Sequence, residues 1–413
     1  MLAPAAGAAV RPGWTLPHSV APAGAAYSEV TMATSRNADL VMGWLREPTC
    51  CTGTGRLVVR TRRGLKGGLS APATLAQDGA SHPAVAVTTL GVPLVAWVAD
   101  GAVHAAARGR SWQSWTVAPT TGTVVTLRAA MSPTGLMSVV WVQQDGAGPA
   151  TVRSASATFR GAATEPWNVD PALSTPNGPV SIGVGAGGRG VAVWPGTDGS
   201  VMSSVHDPGG AWTTAAAIAP AGAAVPSATV RVAVAPMGQA VAAWFANGAQ
   251  TVQAAMLPAD TGARWDTPAT LTDAAPGLFT NLAVSIDNGA VVSWTGQCQG
   301  NLQAVGAMYR GGGAAWSHVP SPAFMDCSKD RNVIAGAGVV RGPRITLLSQ
   351  VDMTGTDTGG VAVLATLGGA WHRGALPGPQ SVAAVSASGR VATWLWTMPE
   401  RRTALQWREY IAP

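Results

Sequence analysis

Short apolar runs, several alternating with period two, recur along the chain between breaks of Gly, Asn, Asp and Pro. This is the pattern of half-buried antiparallel strands joined by tight turns. One phrase returns: "GRGVAVW" into Trp194, "GQAVAAW" into Trp244, "GAVVSW" into Trp294, "GRVATW" into Trp394 and "GVPLVAW" into Trp97, with looser copies ending at Trp44 and Trp141. Leu348 in "GPRITLL" fills the one vacancy, and seven intervals then span the 350 residues from 44 to 394, a mean of 50. Self-similarity at a fixed period marks a repeat architecture. Eight units follow.

Each unit has one internal grammar, clearest from 227 to 272. A small-residue strand, "ATVRVAVAP", leads through "MG" to a second, "QAVAAWF"; "ANG" turns into a third, "AQTVQAAML"; "PADTGARW" turns into a fourth, "WDTPATL". A four-stranded antiparallel meander repeated radially predicts an all-β fold, an eight-bladed β-propeller. The units fall at approximately 27–76, 82–120, 124–173, 178–220, 227–273, 279–322, 331–377 and 380–413, the last lacking its fourth strand. "GWTLPHSV" at 13–20 matches that missing strand, with Trp14 at the place of the Trp that opens strand four elsewhere. The N-terminal strand is therefore expected to close the ring and remove two unpaired edges, making residues 1–413 a single domain.

Composition narrows the function. Charged residues are 11% of the chain and hydrophobic ones 47%, with no apolar stretch near the ~20 residues of a membrane helix. The net charge of +6 is almost all arginine, scattered along the chain, which argues against a nucleic-acid face. The densest basic stretch, "RLVVRTRRG" at 56–64, alternates like a strand and is expected to be a solvated strand face. Cys50 and Cys51 are adjacent, open to a vicinal disulfide or to free thiols. Cys298 and Cys327 lie in surface segments of one unit, and their pairing would close a loop of 29 residues, contributing ~3 kcal/mol. This favours an oxidising compartment. The small-residue N-terminus "MLAPAAGAAVRPGW" resembles the stretch after a signal-peptide cleavage site, so a secreted protein is expected. The cysteines and dispersed histidines form no metal-ligand pattern, no phosphate-binding glycine motif is present, and no cofactor is implied.

The turn before strand four carries a further signature. "DPGGAW" (Asp207, Gly209, Trp212) and "DTGARW" (Asp260, Gly262, Trp265) fit D-x-G-x-x-W, and Gly109 with Trp112 and Gly313 with Trp316 keep G-x-x-W. In this the chain resembles the Asp-box superfamily of sialidase-like β-propellers, although Val205 and Pro258 stand where the motif has Ser or Thr. The resemblance implies a folding element, its carboxylate accepting turn hydrogen bonds and its Trp packing between strands. It does not imply catalysis. The Arg-Ile-Pro start of sialidases is replaced by Arg344-Ile345-Thr346, Tyr309 and Tyr410 fall late in their units, and the aspartates mostly occupy turns. A glycosidase needs a carboxylate pair across a cleft. No catalytic residue is assigned.

Seventeen tryptophans stand against four phenylalanines and three tyrosines. Those repeating on strands two and four are expected to pack between sheets. Trp115, Trp396 and Trp407 fall outside that grammar, and Trp396, Trp407 and the intervening Arg401 and Arg402 form a candidate ligand corner, with extra packing at the last unit as the alternative. The chain resembles bacterial propeller lectins, and its Ala, Gly and Arg richness points to a high-GC, actinobacterial genome. The expected function is a secreted, non-enzymatic module that binds a glycan or another cell-surface ligand. The alternatives are a protein-interaction scaffold or recognition subunit of a larger secreted particle, such as an umbrella-type toxin, and, further off, a sialidase-like hydrolase.

Overall fold

The computed structural model describes thirty-two strands between residues 13 and 411, turns joining them mainly within 54–294, and side chains within 18–294 and at 310 and 315–318. Every strand pairing is antiparallel, and consecutive strands join in four-stranded meanders. One of these is Val230–Val234, Ala240–Ala246, Thr251–Leu257 and Ala269–Thr270. A single sheet has seven strands, because Ala73–Val87 pairs through Ala73–Ala80 as the fourth strand of one meander and through Ser81–Val87 as the first of the next. In the last sheet, Leu405–Ile411 pairs with Val391–Thr397 and also with the N-terminal Gly13–Trp14 and His18–Ala21.

The recurring phrase has a local cause. In five meanders the first hairpin turns through four residues: the carbonyls of Ser35, Thr88, Ser132, Gly185 and Ala235 accept the N–H of the residue three further on, at 2.9–3.1 Å. That residue is Ala38, Gly91, Gly135, Gly188 or Gly238, with φ between 62° and 93°. Only glycine adopts this region without steric cost. Six residues later stands the tryptophan of strand two.

Those tryptophans hold the sheets to one another. Trp44, Trp97, Trp141, Trp194, Trp244 and Trp294 are at most 7% exposed. Each shares a core cluster with the sheet before it. Trp97 and Trp112 pack with Val41, Leu45 and Leu57, Trp141 and Trp167 with Leu94 and Val103, and Trp194 and Trp212 with Val140 and Val152. Trp244 and Trp265 meet Val191 and Val193, and Trp294 and Trp316 meet Val241 and Phe245. Trp44 packs instead on Val20 and Ala21 of the N-terminal strand. An indole buried in this way contributes about 4–6 kcal/mol of hydrophobic transfer before entropy is counted.

First strands lie against first strands of neighbouring meanders, and Ser381–Ala387 lies against Ala26–Thr34. Small residues permit the approach: a Cβ on Gly183 would come within 3.1 Å of the Val234 main-chain nitrogen. The same strands are irregular near their starts, with register shifts between Ser28 and Thr31, Ser81 and Ala84, and Val124 and Thr126.

Candidate functional site

Two clefts stand out among the described residues. The first, about 330 Å³, lies where strand Gly55–Arg62 and the loop after it meet strand Ala102–Arg108 of the next meander. Arg62, Arg63, Arg108 and Arg110 line it, with the hydroxyls of Thr61 and Ser70 between them. Arg62 is buried and donates from Nη2 to the Ala38 carbonyl at 3.1 Å. Arg108 reaches across to Thr61 Oγ1, 2.8 Å away. Arg63 and Arg110 are exposed at the rim.

Asp39 organises this cleft and was invisible to sequence reasoning. It is buried, accepting from Ser35 Oγ at 2.7 Å and from the Gly64 N–H at 2.8 Å, which pins the loop that carries Arg63. Gly91 of the next meander closes over it, since a Cβ there would sit 2.8 Å from the Asp39 carboxyl carbon. The same loop is held by the Ser70 N–H on the Thr61 carbonyl at 2.7 Å. The expected solvated face of "RLVVRTRRG" is thereby corrected. Arg56 is exposed, but Arg62 is buried, and Arg60 is half-buried, donating to the carbonyls of Ser70 (2.7 Å) and Val20 (3.0 Å). Burial lowers the Arg60 pKa. Alternation alone does not reveal that Arg60 and Arg62 are covered while Arg56 and Arg63, on either side of them in the chain, are exposed.

The second cleft, about 310 Å³, is lined by Glu29, Thr31, His82, Thr126 and Arg128 of three successive first strands. Glu29 and His82 occupy the bulges and hold φ of 45° and 53°, a strained conformation costing on the order of 1–3 kcal/mol each. The His82 N–H donates to Glu29 Oε2. Burial raises the Glu29 pKa, partly opposed by His82.

Of the sequence-predicted ligand residues, Trp115 lies half-buried against the core with its ring edge-on to Phe159, centroids 5.9 Å apart. Trp396 and Trp407 belong to a different sheet, on adjacent strands, where Trp396 pairs with Gln406 and Trp407 with Leu395. That register is offset by one and assigns the two positions to opposite faces of the sheet. Arg401 and Arg402 lie outside the described residues, as do Cys50, Cys51 and Cys327; Cys298 ends strand Gly289–Cys298. At the first Asp-box match, the Asp207 carbonyl accepts the turn N–H of Gly210 at 3.0 Å, while its carboxylate meets Arg189 at 3.2 Å and Trp212 packs between sheets. Asp260 and Gly262 of the second match lie outside the described residues. Among the described residues no group of His, Cys, Asp and Glu could hold a metal ion, and no helix is long and apolar enough to cross a membrane.

No protein-family model matches the chain, and no curated protein is detectably similar to it in sequence. Solved structures do match. The BP39L lectin from Burkholderia pseudomallei superposes over 83% of this chain and 97% of its own, with a TM-score of 0.53 and 16% identity. A lectin from Aleuria aurantia, described as a six-bladed β-propeller with a novel fucose recognition mode, covers 73% of this chain and 97% of its own at a TM-score of 0.42 and 15% identity. AofleA from Arthrobotrys oligospora covers 72% and 86%, at 0.42 and 12%. The chain shares with β-propeller lectins an all-β arrangement of four-stranded antiparallel sheets.

Proposed function

We propose that this protein is a secreted, non-enzymatic carbohydrate-recognition module, an eight-bladed propeller whose N-terminal strand completes the last blade. The pairing of Gly13–Trp14 and His18–Ala21 with Leu405–Ile411, and the packing of Trp44 on Val20, support the closure. The observation that carries the function is the arginine-lined cleft. Its volume suits a sugar residue, and it offers guanidinium, hydroxyl and main-chain groups to ring hydroxyls while presenting no pair of carboxylates for hydrolysis. Guanidinium forks held by Ala38 and Thr61 lose little freedom on meeting a ligand. The lectin fold shared with the Burkholderia protein supports the same reading. Trp396 and Trp407, on opposite faces, would each serve as a separate stacking platform rather than as one site.

A glycan array with the full chain tests this. Wild type is expected to bind, and Arg110→Ala, exposed at the rim, to lose roughly 1–3 kcal/mol of affinity with an unchanged melting temperature. A blank array, or full binding by an Arg108→Ala/Arg110→Ala pair that still melts normally, would overturn the assignment. Turnover of a glycoside by wild type would overturn the non-enzymatic part.

A further inference from the structure

Strand register defines one level along the first strands. In each meander, one first-strand residue pairs with the position just before the strand-two tryptophan, or before Leu348. Six of these residues are small: Thr31, Ala84, Ser181, Ala283, Gly338 and Ser386. The other two are Arg128 and Arg231. Two long cations thus stand at one level of an otherwise small-residue lining, on strands separated by Ser181–Val184, which touches both.

Neither arginine is neutralised by a carboxylate among the described residues. Arg128 Nη1 donates to the Leu127 carbonyl at 2.9 Å and Arg231 Nη1 to the Val230 carbonyl at 3.2 Å, each on its own strand. A guanidinium has five N–H donors, so most remain to be used. Arg128 is reachable by water although enclosed by protein, as a side chain in a wet passage is, and the 310 Å³ cleft containing Thr31 and His82 reaches it from solvent. The Arg231 pKa is pushed down to about 10, by burial first and by the Arg128 charge second. Glu29 is the sole carboxylate in the first strands, and it is engaged by the His82 N–H, whereas Arg331 and Arg341 add further positive charge to the strand Arg331–Arg341.

We propose that Arg128 and Arg231 form a two-guanidinium clamp for one oxyanion, a carboxylate or sulfate group, admitted along the passage enclosed by the first strands. Like charges held together in a partly desolvated site raise the energy of the empty state, and an anion shared between them removes that cost. The passage rests on the ring proposed above; the pairing of charges needs only the three neighbouring strands. The oxyanion could be inorganic or carried by an acidic sugar, and the two sources respond to different probes.

The test is thermal unfolding of the full chain at constant ionic strength, with chloride replaced by sulfate or by glucuronate. Wild type is expected to melt higher in at least one of the two. Glucuronate alone acting would assign a sugar carboxylate, and sulfate acting would assign a tetrahedral oxyanion. Arg128→Gln and Arg231→Gln should each abolish the response, while Arg231→Lys keeps part of it. In chloride alone, Arg128→Gln should melt at or above wild type, because the repulsion is gone. An equal response in wild type and both Gln variants, or none in wild type, overturns the clamp. If Arg231→Gln fails to fold, the water-accessible Arg128→Gln carries the test. Removal of residues 1–21 without loss of stability would sink the ring and leave the anion response intact, so the two failures are distinguishable.

Discussion

Trp194 and Trp244 occupy equivalent places and are both completely buried, yet their indole N–H groups differ. The Trp244 N–H donates to Gln253 Oε1 at 3.1 Å, whereas that of Trp194 meets no acceptor of the protein. Replacing either by Phe removes a similar slice of apolar ring, costing about 1–2 kcal/mol in transfer and cavity energy. At Trp244 a hydrogen bond is also lost, adding about 0.5–1.5 kcal/mol, with half-buried Gln253 free to turn to water. At Trp194 the change instead removes a buried unsatisfied donor, returning about 1–3 kcal/mol. Trp244→Phe should therefore destabilise by about 2–3 kcal/mol and Trp194→Phe by about 1 kcal/mol or less, with a gain within range. Urea unfolding followed by tryptophan fluorescence and far-UV circular dichroism measures both, and the midpoints are comparable provided the slope is unchanged. Equal losses in the two variants would refute the reasoning, since the area removed is the same and only the polar partner differs.

Ala38 holds the left-handed turn position that glycine fills in four other hairpins, so Ala38→Gly should stabilise by about 0.5–1 kcal/mol in the same titration. Gly135→Ala should destabilise by more than about 1 kcal/mol, because its φ is 93° and a Cβ would stand 2.3 Å from the Phe159 carbonyl oxygen; a melting temperature equal to wild type would contradict this. Burial pushes the His206 pKa below its ordinary value, against the weaker pull of Asp170. The folded protein then takes up a proton less readily than the unfolded chain, so stability is full above about pH 6.5 and falls as pH drops toward the depressed value. Melting temperatures between pH 7 and 5 should decline in wild type and decline less in His206→Asn.

The tryptophan period is legible because packing between successive meanders repeats the same demand: a large planar side chain at strand two, with Trp112, Trp167, Trp212, Trp265 and Trp316 beside it at or just before strand four. The turn glycines were legible for a similar reason, being the cheapest way to place a left-handed residue. The clefts were not. Arg62 and Arg108 are 46 positions apart and line one cleft only because adjacent meanders bring their third strands near each other, and Asp39 reads in sequence as one more turn aspartate. Arg128 and Arg231 sit in strands with no local mark, and what sets them apart is that six sister positions are small. Spacing alone places Trp396 and Trp407 near each other but does not give their register, in which the two positions are offset by one on adjacent strands.

The strand Ala73–Val87 runs without interruption from one meander into the next. Elsewhere the last strand of one meander ends before the first strand of the next begins, and a cut or an insertion between them leaves both neighbours whole. Here there is no seam. A permuted gene opened between these two meanders would sever a strand that both need, whereas openings at other joins would not. Under mechanical pull the two meanders that share this strand should yield together, as one long step in a trace otherwise made of single-meander steps. The covalent order of the repeats and their mechanical order are thus different at this one place.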